Sequence, residues 1–360
     1  MDKKILCLSD SLGFRGGAER QLSGLAFFLA QKGYDVQVAT YIKQKHPSVL
    51  ELNYGMQYYC IPNTGGKFAK LMAVYQYIKK GKYDVVIAYK NGPIYICSLL
   101  KMFGCRFKFI ASDRNTDQKK DLKVKMKMFL YRYADYIVPN SYSQEAFIKT
   151  NYPRLSKKVH TIINYLDVKR FTPLPYENKD SSLKCIVVAS IKKQKNPLNF
   201  IKAIGLLKQA NIDVVVDWYG IVNDEDLYKE CDDLINGLGI EDIVKIIPPV
   251  TNIHEVYPLY ELYCLPSYFE GFPNTLCEAM SCGLPVIASK VCDNPYILDN
   301  GKFGILFNPS DPQSIADAFR VYLTEYRQTR ESFGGKNRER IHSLCAEDAF
   351  VGKYQRLIEK

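Results

Sequence analysis

The stretch Leu262-Tyr263-Cys264-Leu265-Pro266-Ser267-Tyr268-Phe269-Glu270-Gly271-Phe272-Pro273-Asn274-Thr275-Leu276-Cys277-Glu278-Ala279-Met280 begins as an apolar strand and ends as a helix stopped at Gly283. Gly271 and Pro273 shape the turn between them, so that backbone N–H groups face the strand end. Glu270 falls in the loop and Glu278 about one turn inside the helix. The segment offers a carboxylate for sugar hydroxyls, amides for a phosphate at a helix N-terminus, and a second carboxylate for a ribose diol. A pair of acids also suits a glycosidase acid and nucleophile. The preference of a helix start for acids accounts for Glu270 but not for the whole arrangement.

Outward from this stretch, short apolar runs alternate with helix-period segments, the pattern of parallel sheets with crossover helices. Strands are expected in the second half at Cys185–Ala189, Val214–Trp218, Val244–Ile247, Leu262–Leu265, Pro285–Ala288 and Gly304–Phe307. The first half gives Ile5–Ser9, Val36–Thr40, Val85–Tyr89, Phe107–Ala111 and Tyr136–Val138. One helix carries Leu22, Leu25, Ala26 and Leu29 on a face and stops at Gly33; another carries Phe68, Leu71, Met72, Tyr75 and Ile78 and stops at Gly81. Phe171–Ser182, with prolines and no period, reads as a linker. The expected fold class is α/β, two doubly wound Rossmann-like domains at 1–170 and 171–345, with a final helix at 346–360. In such sheets ligands bind beyond the carboxyl ends of the strands, which directs attention to the turns.

Three further turns carry chemistry. Gly13-Phe14-Arg15-Gly16-Gly17-Ala18-Glu19-Arg20 follows the first strand and opens a helix, and Gly16 and Gly17 would let the backbone approach a phosphate. The dinucleotide pattern G-x-G-x-x-G is absent, and a ligand-free tight turn fits the same residues. After Cys185–Ser190 come Lys192, Lys193 and Lys195, which could neutralise a diphosphate or line a solvated loop. Asp224-Glu225-Asp226 spells D-x-D, a pattern suited to metal-bound diphosphate. Further acids at Glu230, Asp232 and Asp233 make it a solvated helix start instead, so no metal is expected.

Composition bounds the class. The chain has 360 residues, 47 % hydrophobic and 24 % charged, ordinary for globular domains. Eleven cysteines are scattered without a C-x-x-C pair; Cys7, Cys60, Cys185 and Cys264 read as small buried thiols in a reducing compartment. Residues 1–9 read as a charged start and a strand rather than a signal peptide. The net charge of +11 divides unevenly, with residues 1–170 at +17 and 171–360 at −6. The first half is the one suited to an anionic partner. Lys119, Lys120, Lys123, Lys125 and Lys127, interleaved with Leu122, Val124, Met126, Met128, Phe129 and Leu130, form either a solvated helix face or a membrane-surface patch over 119–130. No nucleic-acid motif accompanies the charge, and no nucleic-acid partner is expected. The expected location is the cytoplasm, peripheral on the inner face of the cell membrane.

These residues resemble the retaining glycosyltransferases of family 4, of the bacterial surface-polysaccharide type. Glu270 and Glu278 match that family's E-x7-E element within a similar run from Ser267 to Ser289. Gly16-Gly17-Ala18-Glu19-Arg20 resembles its glycine loop, Ala134-Asp135-Tyr136-Ile137-Val138 with Ser141 its A-D-x-I-V-x-x-S strand, and Asn164-Tyr165-Leu166-Asp167 with Phe171 and Pro173 its hinge. Lys195 stands where the family has its phosphate-binding lysine, and Ser112-Asp113-Arg114-Asn115 resembles an S-E-R-N variant.

The resemblance implies a GT-B fold, the two domains facing across a cleft, and a hexosyltransferase using a nucleotide diphosphate-sugar, UDP-linked by expectation, without metal or other cofactor. The acceptor would be a growing, lipid-linked glycan in polysaccharide biosynthesis. Catalytic roles fall to Glu270, Lys195, Arg114 and Asp113. Donor contacts fall to Gly16, Gly17, Ser190, Lys192, Lys195, Gly271, Phe272, Pro273, Asn274, Thr275, Leu276 and Glu278. Within them Lys195 neutralises the diphosphate, Glu278 holds the ribose and Glu270 orients the sugar. The chain departs from the family at Ser190, where an arginine is usual, with Lys192 or Lys193 as substitutes, and at Tyr296, and it lacks an acceptor-side histidine. A nucleotide-sugar epimerase of GT-B fold and a non-catalytic sugar-nucleotide-binding relative are the alternatives.

Overall fold

The computed structural model describes residues 3–13, 17–43, 48–114, 116–117, 119–175 and 182–360. They form two compact units, residues 1–165 with 347–360, and residues 166–346. The boundary at Tyr165 precedes the proline-rich stretch read as a linker, and Phe171 is already buried in the second unit, its ring edge-on to His254. No helix among the described residues is long and apolar enough to cross a membrane.

In the first unit, β1 (Lys4–Leu8), β2 (Asp35–Thr40), β3 (Tyr59–Cys60), β4 (Val85–Tyr89), β5 (Lys108–Asp113) and β6 (Tyr136–Pro139) make a parallel sheet ordered β3-β2-β1-β4-β5-β6. Strand β3 was not foreseen: two residues at a sheet edge leave no apolar run to detect. Burial on both faces explains the continuous Val-Val-Ile-Ala-Tyr of β4. Leu6, Leu8, Val86, Ala88 and Phe109 face one core, while Ile5, Cys7, Val85, Ile87 and Ile110 face the other. The helix Glu347–Glu359 belongs to this second core through Phe350, Val351, Tyr354, Leu357 and Ile358. Two details correct the sequence reading. Phe68 points outward from its helix, whose buried residues are Val74 and Ile78, and Cys60, on edge strand β3, is only half-buried.

The second unit repeats the plan with β7 (Leu183–Val188), β8 (Val214–Tyr219), β9 (Val244–Ile247), β10 (Leu262–Leu265), β11 (Val286–Ser289) and β12 (Ile305–Phe307), ordered β12-β11-β10-β7-β8-β9 and all parallel. Trp218 is buried beside Phe200, its Nε1–H donating to the Ala189 carbonyl at 2.7 Å. Gly220 is required at the end of β8, since a Cβ there would sit 1.8 Å from that same carbonyl oxygen. The turn that ends the helix carrying Glu278, Asn274–Ser281, lies equally close to the helix Arg330–Leu344, where a Cβ on Gly334 would meet the Gly283 oxygen at 1.9 Å.

Candidate active site

Each sheet reverses its strand order once, between β1 and β4 in the first unit and between β7 and β10 in the second. Such a reversal opens a crevice at the carboxyl ends of the two strands, because their connections leave toward opposite faces.

In the second unit this point is built from the loop after β7 and the loop after β10. Lys195 Nζ lies 2.5 Å from Glu270 Oε1, and the Ser267 hydroxyl donates to the same oxygen at 2.5 Å. The side chains are 16 % and 8 % exposed, shielded but reachable. Backbone and side-chain bonds stitch the loops together: Gln194 Nε2 donates to the Phe269 carbonyl at 2.7 Å, the Tyr268 amide to the Gln194 carbonyl at 2.9 Å, and Asn196 Nδ2 to the Pro266 carbonyl at 3.0 Å. Asn196 has φ +58°, a left-handed residue that redirects the chain into the helix Pro197–Gln209.

Lys192 converges on the same place. Burial and then the neighbouring Lys195 ammonium hold its amine below the usual lysine range, with Glu270 opposing the shift. Lys193, the other substitute considered for the missing arginine, is exposed, and Ser190 is half-buried at the strand end. Two ammoniums against one carboxylate leave the crevice with an excess positive charge.

The turn Gly271–Pro273 leads to the helix Asn274–Ser281, which has no side-chain N-cap. Phe272, Pro273 and Leu276 are buried, Gly271, Asn274 and Thr275 half-buried. Glu278 is buried one turn in, and the Tyr257 hydroxyl donates to its Oε2 at 3.2 Å. Tyr263 fixes the Thr275 hydroxyl at 2.8 Å. These two tyrosines went unread in the sequence, since Tyr257 belongs to a short 3-10 turn ahead of β10 and nothing local marks it.

The first unit rearranges the expectations. Gly17 is the first residue of the helix Gly17–Gln31; Gly16 and Asn115 lie outside the described residues. Asp113, read as catalytic, is fully buried at the end of β5 and paired with Lys127 at 2.8 Å. Lys127, read as one of five lysines on an exposed face, is only 2 % exposed and also pairs with Asp117 at 2.8 Å. Gln144 closes the network, donating to Asp117 at 2.7 Å and accepting its backbone amide at 2.8 Å. A carboxylate sealed in this way orders the loop after β5 and has no face left for an acceptor. Arg114 is likewise occupied within its unit, donating to Asn164 at 2.8 Å, the Tyr89 hydroxyl at 2.8 Å, Ser112 at 2.7 Å and the Tyr354 hydroxyl at 2.7 Å. It fastens β4, β5 and the helix Glu347–Glu359 together. Met128 is core as well, whereas Leu122, Met126 and Phe129 are 80 %, 57 % and 48 % exposed.

Asp224 caps the helix Glu225–Leu238, accepting the Leu227 amide at 3.1 Å, with Glu225 and Asp226 exposed in its first turn.

Comparison with known proteins gives the geometry its family. The model for glycosyl transferases group 1 matches residues 172–340 and that for glycosyltransferase family 4 matches residues 15–170. The amylovoran biosynthesis glycosyltransferase AmsD of Erwinia amylovora is 26 % identical over 322 residues, 83 % of this chain and 84 % of the relative. A Campylobacter jejuni enzyme, N-acetylgalactosamine-N,N'-diacetylbacillosaminyl-diphospho-undecaprenol 4-alpha-N-acetylgalactosaminyltransferase, is 25 % identical over 271 residues, 72 % of each chain. Among solved structures, Anabaena HepE in complex with UDP-glucose superposes with a TM-score of 0.85 at 18 % identity, covering 99 % of both chains. Sucrose-phosphate synthase of Thermosynechococcus elongatus gives 0.82 at 17 % identity, covering 99 % of this chain and 98 % of that one. Two six-stranded parallel sheets with these neighbours and these family domains leave one assignment: the chain belongs to the glycosyltransferases, an enzyme of GT-B fold with a family 4 domain followed by a group 1 domain.

Proposed function

We propose that this glycosyltransferase moves a sugar from a UDP-sugar to a lipid-linked glycan, with retention of the anomeric configuration and without a metal ion, in polysaccharide assembly. The observation that carries the reading is the pairing of Lys195 with Glu270, Lys192 close by, at the strand-order reversal of the second unit. In the free protein Glu270 holds the Lys195 ammonium in place. A bound diphosphate competes for that ammonium and for Lys192, and both stabilise the charge that develops as the bond to the sugar breaks. The uncapped start of the helix Asn274–Ser281 adds backbone amides on the same side. Glu278, buried and held by Tyr257, is positioned for the ribose hydroxyls.

We assign Glu270 a non-covalent part: the bonds that its Oε1 accepts from Lys195 and Ser267 hold the carboxylate in place. Its role is to orient the transferred sugar. The anomeric carbon loses its oxygen to the diphosphate and bonds the acceptor oxygen on the same face, the acceptor proton passing to the departing phosphate. The UDP part of the reading is supported by the UDP-glucose complex of the structural neighbour, and the lipid-linked acceptor by the undecaprenol substrate in the Campylobacter relative's name.

Membrane approach is assigned to the helix Leu122–Tyr131. Its exposed apolar residues Leu122, Met126 and Phe129 recur at helical spacing, flanked by exposed Lys119, Lys120, Lys123 and Lys125. Each lysine near an anionic surface contributes about 1 kcal/mol. Lys127 and Met128 are excluded from this role by burial.

Thermal shift against UDP, GDP and ADP tests the donor: UDP at 100 times its Kd should add about 2.7 kcal/mol, with the other nucleotides weaker and EDTA without effect. A shift with GDP or ADP alone would replace the base, and one that requires Mg²⁺ would overturn the metal-free reading. Changing Lys119, Lys120, Lys123 and Lys125 to Gln should release the protein from phosphatidylglycerol vesicles. Undiminished sedimentation with those vesicles would reduce this helix to a solvated face.

A further inference from the structure

The first unit has its own strand-order reversal, between β1 and β4, and of the described residues expected from the sequence to act only Gly17, at the start of the helix after β1, belongs to it. What does lie there is a charged triad. Lys90, directly after β4, places its ammonium 3.0 Å from Asp10 Oδ1, just after β1, and 2.5 Å from Glu19 Oε1, in the first turn of the helix Gly17–Gln31. The three side chains are 24 %, 30 % and 11 % exposed, so the triad is partly shielded yet open to solvent.

Lys90 is also held in a conformation that only glycine adopts readily, φ 67° and ψ 167°. A side chain is kept at a position where its backbone is strained, and such outliers collect at functional sites, where the surrounding structure holds them. Here the lysine reaches the loop after β1, and the helix Asn91–Met102 that it precedes has no side-chain cap.

The charge of the triad decides what it can bind. One ammonium against two carboxylates is net negative, so a phosphate or diphosphate is repelled. An ammonium has three N–H donors; Asp10 and Glu19 take two, and the third has no partner among the described residues. One free donor beside carboxylate oxygens with spare lone pairs is the equipment for neutral vicinal hydroxyls, each of which both accepts and donates. We propose that Lys90, Asp10 and Glu19 form a specificity-determining subsite that binds hydroxyl groups of the acceptor's terminal sugar. The inference rests on the sugar-transfer reading above, but it concerns different residues and a different ligand.

The experiment separates the two. Saturation-transfer NMR is run in the presence of UDP with the methyl α-glycosides of glucose, galactose, N-acetylglucosamine and N-acetylgalactosamine as probes. The wild-type protein should show contact with at least one of these, and Lys90→Met and Asp10→Asn should weaken that contact at least tenfold. Lys90→Arg should retain part of it, and all three variants should keep the wild-type UDP thermal shift, which also reports that they are folded. Glu278→Ala provides the opposite control, weakening the UDP shift while keeping the glycoside. Unaltered glycoside contact in Lys90→Met would make the triad scaffolding and overturn the proposal. So would the absence of contact from all four glycosides, or a phosphate probe binding in their place. Absence of a UDP shift in the wild-type protein would instead sink the donor reading and leave the glycoside arm readable.

Discussion

The two units share a strand order, and each sets a lysine against carboxylate where that order reverses, yet the local charges are opposite to those of the halves that carry them. The second half is acidic overall, net −6, but its crevice gathers Lys192 and Lys195 against Glu270. The first half is basic overall, net +17, but its crevice holds Lys90 between Asp10 and Glu19. Net charge governs how a surface meets membranes and large ions across a Debye length of about 8 Å. Ligand chemistry is set by the few groups within contact distance, and here the two scales point in opposite directions. The units also differ in how their strand ends are stiffened. The first uses buried ions, Asp113–Lys127–Asp117 and the guanidinium of Arg114; the second uses close backbone approach at Gly220 and the Tyr257–Glu278 bond.

The sharpest way to break this contrast is Lys127→Ala. It leaves the buried Asp113 and the half-buried Asp117 without their cation, and loss of one partner from a buried ionic network costs about 3–5 kcal/mol. Urea denaturation should show that loss, with recovery when Asp113→Asn and Asp117→Asn are added. A loss below about 1 kcal/mol, the level of a surface pair, would mean that the network does not stiffen the first unit. Next in size is Lys195→Met, expected to cut turnover by about 10²–10³-fold, the cost of removing one preorganised electrostatic contact to the developing charge. Donor KM should change much less. Equal effects on kcat and on donor affinity would make the pair a ground-state binding device and weaken its distinction from the triad of the first unit.

Glu278→Ala should weaken nucleotide binding by about 1.5–3 kcal/mol in isothermal titration, the worth of a hydrogen bond to a charged acceptor. An unchanged affinity in the folded variant would move the ribose elsewhere. The smallest effect is a pH dependence carried by both units. Burial is the main cause that holds His160 and His342 below the usual imidazole value of 6.5. Their unfolded forms therefore take up protons first, and stability should fall as pH drops through about 6.5. His160→Gln and His342→Gln should each flatten part of that fall, and a profile left unchanged by both would assign it to other groups.

Much of this was legible in the sequence, for reasons that differ by element. Central strands such as Val85–Tyr89 and Leu262–Leu265 are buried on both faces, so their apolar runs stand out. Glu270 and Glu278 were readable because strand, turn and helix follow one another within one short segment. The Lys195–Glu270 pair was not, since its partners are 75 positions apart and each had its own expected task. Nor was the burial of Lys127: in sequence it is one lysine of five, and only the fold sets it between two aspartates. Lys90 carried no signal at all. Its strain is a backbone property, and its partners arrive from the loop after β1 and from the helix Gly17–Gln31.

The helix Glu347–Glu359 completes the first unit although the whole of the second unit precedes it in the chain. On the ribosome the first unit therefore cannot close its core when its own sheet emerges. Ile5, Cys7 and Val85 await Phe350, Leu357 and Ile358, and the Arg114 guanidinium awaits the Tyr354 hydroxyl. The second unit, contiguous in sequence, can fold first. This inverts the usual amino-to-carboxyl order of co-translational folding. Nascent chains stalled before residue 347 should carry a protease-resistant second unit attached to a first unit that is still open to cleavage.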